Sequence, residues 1–310
     1  MLDCTRLGAD RAETIAVLTL LRIASRKGSW GDISGDVRLA GSAVAVLDEI
    51  KAERDGLLPD PEISDAETIA AANLADWEAQ GLNLVTVLSS DYPAQLAGVF
   101  DCPPFLFYKG TLIANDQGMS VVGSRRSSAR GEDIARTAAR LLAERGLSVI
   151  AGLAEGIDAA AHREALRVQA RTVAVIGTGI NKYYPAANRK LQVEIENKGL
   201  VISQFYPDQP PNQTSFPMRN GTMSGYGLAT IVVEAGEHSG TRIQARKAAD
   251  HGRPVIIFED VAKGTTWGKE LSNRPWVSVF GTASELTAAI DQVLNYQYAE
   301  SLATSDLVSA

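Results

Sequence analysis

The chain has 310 residues, 45% of them hydrophobic and 22% charged, an ordinary globular composition long enough to bury a core across two domains. No apolar run approaches the roughly 20 residues that span a bilayer, and the N-terminus lacks a cationic-then-apolar layout, so no membrane association and a cytoplasmic location are expected. Two cysteines, Cys4 and Cys102, without CxxC spacing or a neighbouring His cluster, argue against a zinc site or a disulfide framework.

The net charge of −7 is unevenly distributed. Residues 1–118 carry 9 Lys+Arg against 18 Asp+Glu, residues 119–260 carry 18 against 14, and residues 261–310 carry 3 against 5. The middle of the chain is therefore locally basic, which suits an anionic partner.

Residues 1–80 read as a smaller, mostly helical N-terminal region. The spacing of Ile15, Leu18, Leu21 and Ile23 predicts a helix over 14–26 that ends at Gly28. The glycines and aspartates of GSWGDISGD, 28–36, predict a loop, followed by a second helix over 37–53. Leu57-Leu58-Pro59-Asp60-Pro61 breaks the chain, and 65–80 resumes a helical pattern. Residues 81–118 read as a connecting segment, with a short strand over 83–88, the prolines Pro93, Pro103 and Pro104, and the apolar run 105–108. A domain boundary is expected near 115–118.

From Met119 apolar strands alternate with helical stretches, the signature of an α/β fold with a doubly wound, mainly parallel sheet covered on both faces. Strands are expected at 120–123, 147–151, 172–177, 200–203, 229–234 and 254–258, in a domain spanning 119–295 and followed by a tail, 296–310. Ligands of such a sheet sit at the carboxyl ends of its strands.

The loops at that edge hold the candidate site. The first carries Gly123, Ser124, Arg125 and Arg126 between a strand and a helix start, where free N–H groups and a forked guanidinium suit a phosphate. It lacks the GxGxxG dinucleotide fingerprint, since only Gly123 and Gly131 are present. The second carries Gly152 and Gly156, with Asp158 expected to cap the next helix. The third carries Gly177, Gly179 and Lys182, with Arg189 beyond. Arg219 and Asn220, then Ser239, Gly240, Thr241 and Arg242, complete the rim, which is long enough for several linked nucleotides.

Other features are set aside. Residues 264–270 are one residue short of a P-loop and end on Glu270 rather than Ser/Thr. His162 reads as a packing or hydrogen-bonding residue, His238 and His251 lack partners at metal-ligand spacing, and the four tryptophans read as structural. No catalytic residue, metal or cofactor is assigned.

The ordered set DYP at 91–93, CPPFLFYKG at 102–110, VVGSRR, AGLAEGIDAAAH, AVIGTGINKYYPAANRKL, SFPMRN and VVEAGEHSGTRIQA resembles the DNA-processing protein A (DprA, also called Smf) family over about residues 82–261. The resemblance implies an extended Rossmann-like domain that binds single-stranded DNA, forms a homodimer and helps load the RecA recombinase in transformation. The family's Gly-Ser-Arg element falls on Gly123, Ser124 and Arg125, and its Phe-Pro-x-Arg-Asn element on Phe216, Pro217, Arg219 and Asn220. Three departures stand out. Gly221 replaces a usual arginine, which reads as the loss of one phosphate-binding cation; the N-terminal glycine pattern of a helix-hairpin-helix is missing; and no winged-helix pattern closes the chain. These features leave room for a specialised paralogue paired with a defence effector protein.

Two other readings compete. A nucleotide-binding sensor or phosphoribohydrolase-like enzyme, similar to the LONELY GUY proteins, would need a PGGxGTxxE loop. Here Gly240-Thr241 remains but the glycine doublet does not, and Gln244 stands where the glutamate would fall, leaving Glu234 as the nearest acid or base. The acidic N-terminal region alone would suit a protein-interaction scaffold.

Overall fold

Along each central strand successive side chains point to opposite faces, and both faces are covered. Met119, Val121, Val149, Ile231, Val233 and Ile256 enter one core, while Val122, Ile150, Val232, Val255 and Ile257 enter the other. The computed structural model describes residues 4–24, 30–54 and 59–308.

The N-terminal helices are α1 (Cys4–Ala24), α2 (Trp30–Ala40), α3 (Ala43–Arg54) and α4 (Pro61–Ala79). The strands are β1 (Asn83–Thr86), β2 (Phe105–Gly110), β3 (Gly118–Gly123), β4 (Ser148–Ala151), β5 (Thr172–Val175), β6 (Leu200–Ser203), β7 (Ala229–Glu234), β8 (Val255–Phe258) and β9 (Val277–Phe280). Among them run α5 (Ala94–Ala97), α6 (Ala129–Ala143), α7 (Ile157–Arg167), α8 (Arg189–Lys198), α9 (Ser215–Tyr226), α10 (Thr241–Asp250), α11 (Glu259–Gly264) and α12 (Thr266–Ser272), and α13 (Ala283–Val308) follows the last strand.

The strands form one sheet in the order β1-β2-β6-β5-β4-β3-β7-β8-β9. Pairing is parallel from β6 through to β9, and antiparallel where β2 meets β6 and β1 meets β2. The fold is thus α/β and doubly wound. Connections leave β3 toward β4 on one side, while β7 adds on the other, so a crevice opens at the carboxyl end of β3.

Residues 81–118, expected to lead into the core, contribute two strands to the sheet itself. Buried Asp116 fastens their end to it, accepting hydrogen bonds from Ser148 Oγ (2.5 Å), Arg171 Nε (2.8 Å) and Tyr226 Oη (2.8 Å). The N-terminal helices pack on β2 through Trp77 against Phe107, ring centroids 4.9 Å apart, and Trp30 against Phe105, 5.6 Å apart. Residues 296–308, expected as a tail, continue α13.

The helical boundaries of the N-terminal region differ from expectation. Most of 28–36 is helical, because Trp30, Ile33 and Val37 lie on one side of α2, with Ile33 and Val37 buried. Gly31 marks a close approach rather than a loop, since a Cβ there would stand 2.6 Å from Phe100 O. The helix expected over 37–53 is split at Gly41, whose φ of +71° suits glycine. The expected end of the first helix, 26–28, and part of the break at 57–61 lie outside the described residues.

Candidate functional site

At the carboxyl end of β3 lies a cleft of about 640 Å³, walled by the 123–126 loop, the start of α9 and the 236–244 segment leading into α10. The strand register slips between Val122 and Gly123, turning the chain out of the sheet. Ser124 Oγ then accepts a hydrogen bond from Arg126 N (3.1 Å), a tight turn that leaves Arg125 and Arg126 exposed. The 152–158 loop locks this turn from behind. Ile157 N donates to Ser124 O (3.2 Å), and Gly156, with φ +75°, lies so close to the Ser124–Arg125 backbone that a side chain there would collide with it.

Asp158 was expected to cap α7. Gly156 holds the cap position instead, and the Asp158 carboxylate, one step inside the first turn, reaches back to accept from Gly152 N (3.0 Å) and Ala154 N (3.3 Å). Burial pushes its pKa up, opposed by the Arg219 charge. Arg219 is buried too, at 6% exposure; it donates from Nη1 to Val175 O (2.9 Å), and burial pushes its pKa down against the pull of Asp158. Arg219 and Asn220 line the cleft floor, but the Arg219 guanidinium belongs to the scaffold beneath it.

The helix start expected to share an anion with Arg125 is already occupied. Both carboxylate oxygens of Glu234 accept from Ser128 N (3.1 Å each), and Ser128 Oγ donates to Oε2 (2.5 Å), so a carboxylate of this chain closes the N-terminus of α6. Glu234 is thereby a structural anchor. The opposite wall is more open. Ser239 Oγ accepts from Thr241 N (3.2 Å) at the start of α10, a Cβ at Gly240 would meet nothing within 4 Å, and exposed His238 faces the same space. Gln244 is buried in this wall with neither amide atom hydrogen-bonded among the described residues.

Other predicted rim residues lie elsewhere. Gly177 makes room for the Phe216 ring and Gly179 for the carbonyls of Tyr206 and Pro207, so both serve packing. Lys182 pairs with Asp208 (2.9 Å), Arg189 lies 4.9 Å from the Tyr183 ring, and Arg242 faces a neighbouring cleft with Arg246, Trp267 and Arg274. Gly221 points away from the main cleft: a Cβ there would stand 3.1 Å from the Asp101 carboxylate. That carboxylate takes His251 Nε2 (2.6 Å) and Lys247 Nζ, while His251 Nδ1 meets Ser224 Oγ (2.7 Å). Burial raises the Asp101 pKa, but these two donors outweigh it and hold the carboxyl at about 2. Sequence spacing gave no sign of this Ser–His–Asp chain; Ser224, at 1% exposure, is sealed inside α9.

Arg130, Arg136, Arg140, Arg145, Arg167 and Arg171 all pair with carboxylates. Arg125 and Arg126 have no ion pair among the described residues, and Arg125 instead rests 5.3 Å from the centroid of the Phe216 ring. A cation left beside an open cleft can take an anion from solution.

The family model for DNA recombination-mediator protein A matches residues 83–275. The chain belongs to this family. DNA processing protein DprA of Streptococcus pneumoniae is 40% identical over 182 residues, 58% of this chain and 64% of that protein. Protein Smf of Escherichia coli is 39% identical over 189 residues, 60% of this chain, and the match spans half of the longer relative. The X-ray structure of the pneumococcal family member superposes with a TM-score of 0.66 at 28% identity, covering 92% of this chain and 94% of that one. DNA processing protein A from Helicobacter pylori, described for its single-stranded DNA binding mode, shares the fold at 22% identity, with a TM-score of 0.59 and coverage of 68% and 96%.

Proposed function

We infer that the chain binds single-stranded DNA across the cleft at the carboxyl end of β3 and serves DNA recombination. One observation carries this reading: Arg125 and Arg126, which make no ion pair among the described residues, stand on a locked loop that faces the cleft, while Arg130, Arg140 and Arg171 are paired with carboxylates. Guanidinium and backbone N–H groups recognise phosphate and carry no sequence information, so selectivity among sequences is low. The Phe216 ring beside Arg125 favours a single strand, whose unstacked bases are free to meet an aromatic face. Family membership supports the reading, as does the single-stranded DNA binding described for the H. pylori neighbour.

The resemblance extends the reading to a homodimer that hands its strand to the RecA recombinase. Exposed Trp276 and Val279 at the open β9 edge of the sheet, 56% and 44% exposed, favour a protein contact there. The test of the core reading is fluorescence anisotropy with a labelled oligothymidylate, a blunt duplex and a mononucleotide at two salt concentrations. The strand should bind best, with affinity falling as salt rises by a log–log slope of about −0.7 per phosphate contact. Equal affinity for the duplex, or no salt dependence, would sink the reading.

A further inference from the structure

The Arg125–Phe216 contact is the first step of a longer row. The Phe216 ring meets the Tyr184 ring, centroids 5.7 Å apart and planes inclined by 42°. Tyr184 is 40% exposed. The adjacent Tyr183 ring lies between two cations, with Arg189 at 4.9 Å and Lys109 at 5.8 Å. Of the basic residues at this end, Lys182 and Lys109 have carboxylate partners, whereas exposed Arg189 and Lys190 have no ion pair among the described residues. A run of three aromatic side chains thus extends from Arg125 at the cleft mouth to Arg189 at the start of α8.

A structural role accounts for part of this row. The Arg189–Tyr183 contact fastens the loop to α8, and Phe216 fills the space left by Gly177. It leaves open the exposed part of the Tyr184 ring, which is 40% accessible beside Phe216. Aromatic faces together with unneutralised cations suit a single strand, because every base has a π-face and every linkage a charge. The other exit, past Arg242, Arg246 and Arg274, offers cations together with the carboxylates Glu237 and Glu270.

Resting on the single-strand reading above, we propose that the strand leaves the cleft along the Phe216–Tyr184–Tyr183 row toward Arg189, with a base stacked on Tyr184 outside the cleft. Affinity then grows with strand length until this station is filled, and the growth depends on the Tyr184 ring.

The test compares a short oligothymidylate of about three nucleotides with one of about ten. It uses the unaltered protein, Tyr184→Ala, Tyr184→Phe and Arg242→Ala, with thermal melting of each. Tyr184→Ala should weaken binding of the long strand by roughly fivefold or more, leaving the short strand and the melting temperature unchanged. Tyr184→Phe, which keeps the ring, should bind both strands as the unaltered protein does. The path is overturned if Tyr184→Ala binds the long strand normally, if it weakens short and long strands equally, or if Arg242→Ala removes the gain with length instead. Absence of binding of either strand by the unaltered protein would overturn the single-strand reading itself.

Discussion

Gly152 and Arg219 share one space: the guanidinium lies where a side chain at 152 would begin, so a Cβ there would fall on Nη1. The glycine of the second loop therefore exists for an arginine of this chain rather than for a phosphate. Arg219 also offsets the buried charge of Asp158 and gives Val175 O its donor. Arg219→Leu should cost about 2 kcal/mol of stability or more, because it leaves a buried carboxylate uncompensated and a carbonyl without a partner. Gly152→Ala should cost about 1–3 kcal/mol through overpacking. Both are read by thermal melting. An Arg219→Leu protein that melts normally and loses only DNA affinity would show that the guanidinium meets the ligand.

Arg125 is the opposite kind of arginine. Exposed and resting on Phe216, it makes no ion pair among the described residues, so Arg125→Ala should leave the melting temperature nearly unchanged. Loss of a charge-assisted phosphate contact should weaken single-strand binding by about tenfold or more. The salt slope should become shallower by about 0.7, the share of one contact on a single strand. A variant that melts early while its folded fraction binds normally would mark Arg125 as a structural residue.

These two arginines show what is legible in a sequence. Strands such as β4 and β5 announce themselves as short apolar runs, and the loops after them as glycine pairs, so the sheet and the edge holding the site could be read directly. The direction of a side chain at a loop-to-helix junction could not. Gly-Ser-Arg and Phe-Pro-x-Arg-Asn both present an arginine beside the same crevice, and only the packing of α9 against β5 turns one inward. Glu234 on Ser128 joins residues 106 apart, a pairing that no local pattern encodes. The helix α2 was hidden for a related reason: Gly31 and Gly35 resemble loop residues until the Phe100 backbone is seen against the first of them.

Gly221 offers a direct check on that lesson. Its position reads from sequence as a missing phosphate contact, yet it faces Asp101, already bonded to His251 and Lys247. Gly221→Arg should therefore leave single-strand affinity within about twofold of the unaltered protein, since the new guanidinium meets a carboxylate on the far side of α9 rather than a strand. The readout is the same anisotropy titration, with melting as a control for folding. A gain of about tenfold that vanishes at high salt would place position 221 on the nucleic acid after all.

The last prediction concerns His162, fully buried on α7 behind the second loop. Thr172 Oγ1 gives its only hydrogen to Val149 O (2.8 Å), so the 2.7 Å contact with His162 Nδ1 requires the imidazole to donate there. Burial is the largest influence on this ring and pushes its pKa from 6.5 down to about 3, with the nearby Arg219 charge acting in the same direction. The folded state thus refuses a proton that the unfolded chain accepts below 6.5. Stability is fully present above that pH and is lost as pH falls toward the folded value. Between neutral pH and pH 5 the loss should reach about 2 kcal/mol, a range in which most carboxylates have yet to titrate. Urea melts at a series of pH values should show this decline in the unaltered protein. His162→Gln, which cannot take up a proton, should be less stable at neutral pH from imperfect packing but should show a nearly flat profile across the same window. An equal decline in both proteins would mean that other groups carry the acid sensitivity and that the buried imidazole contributes none of it.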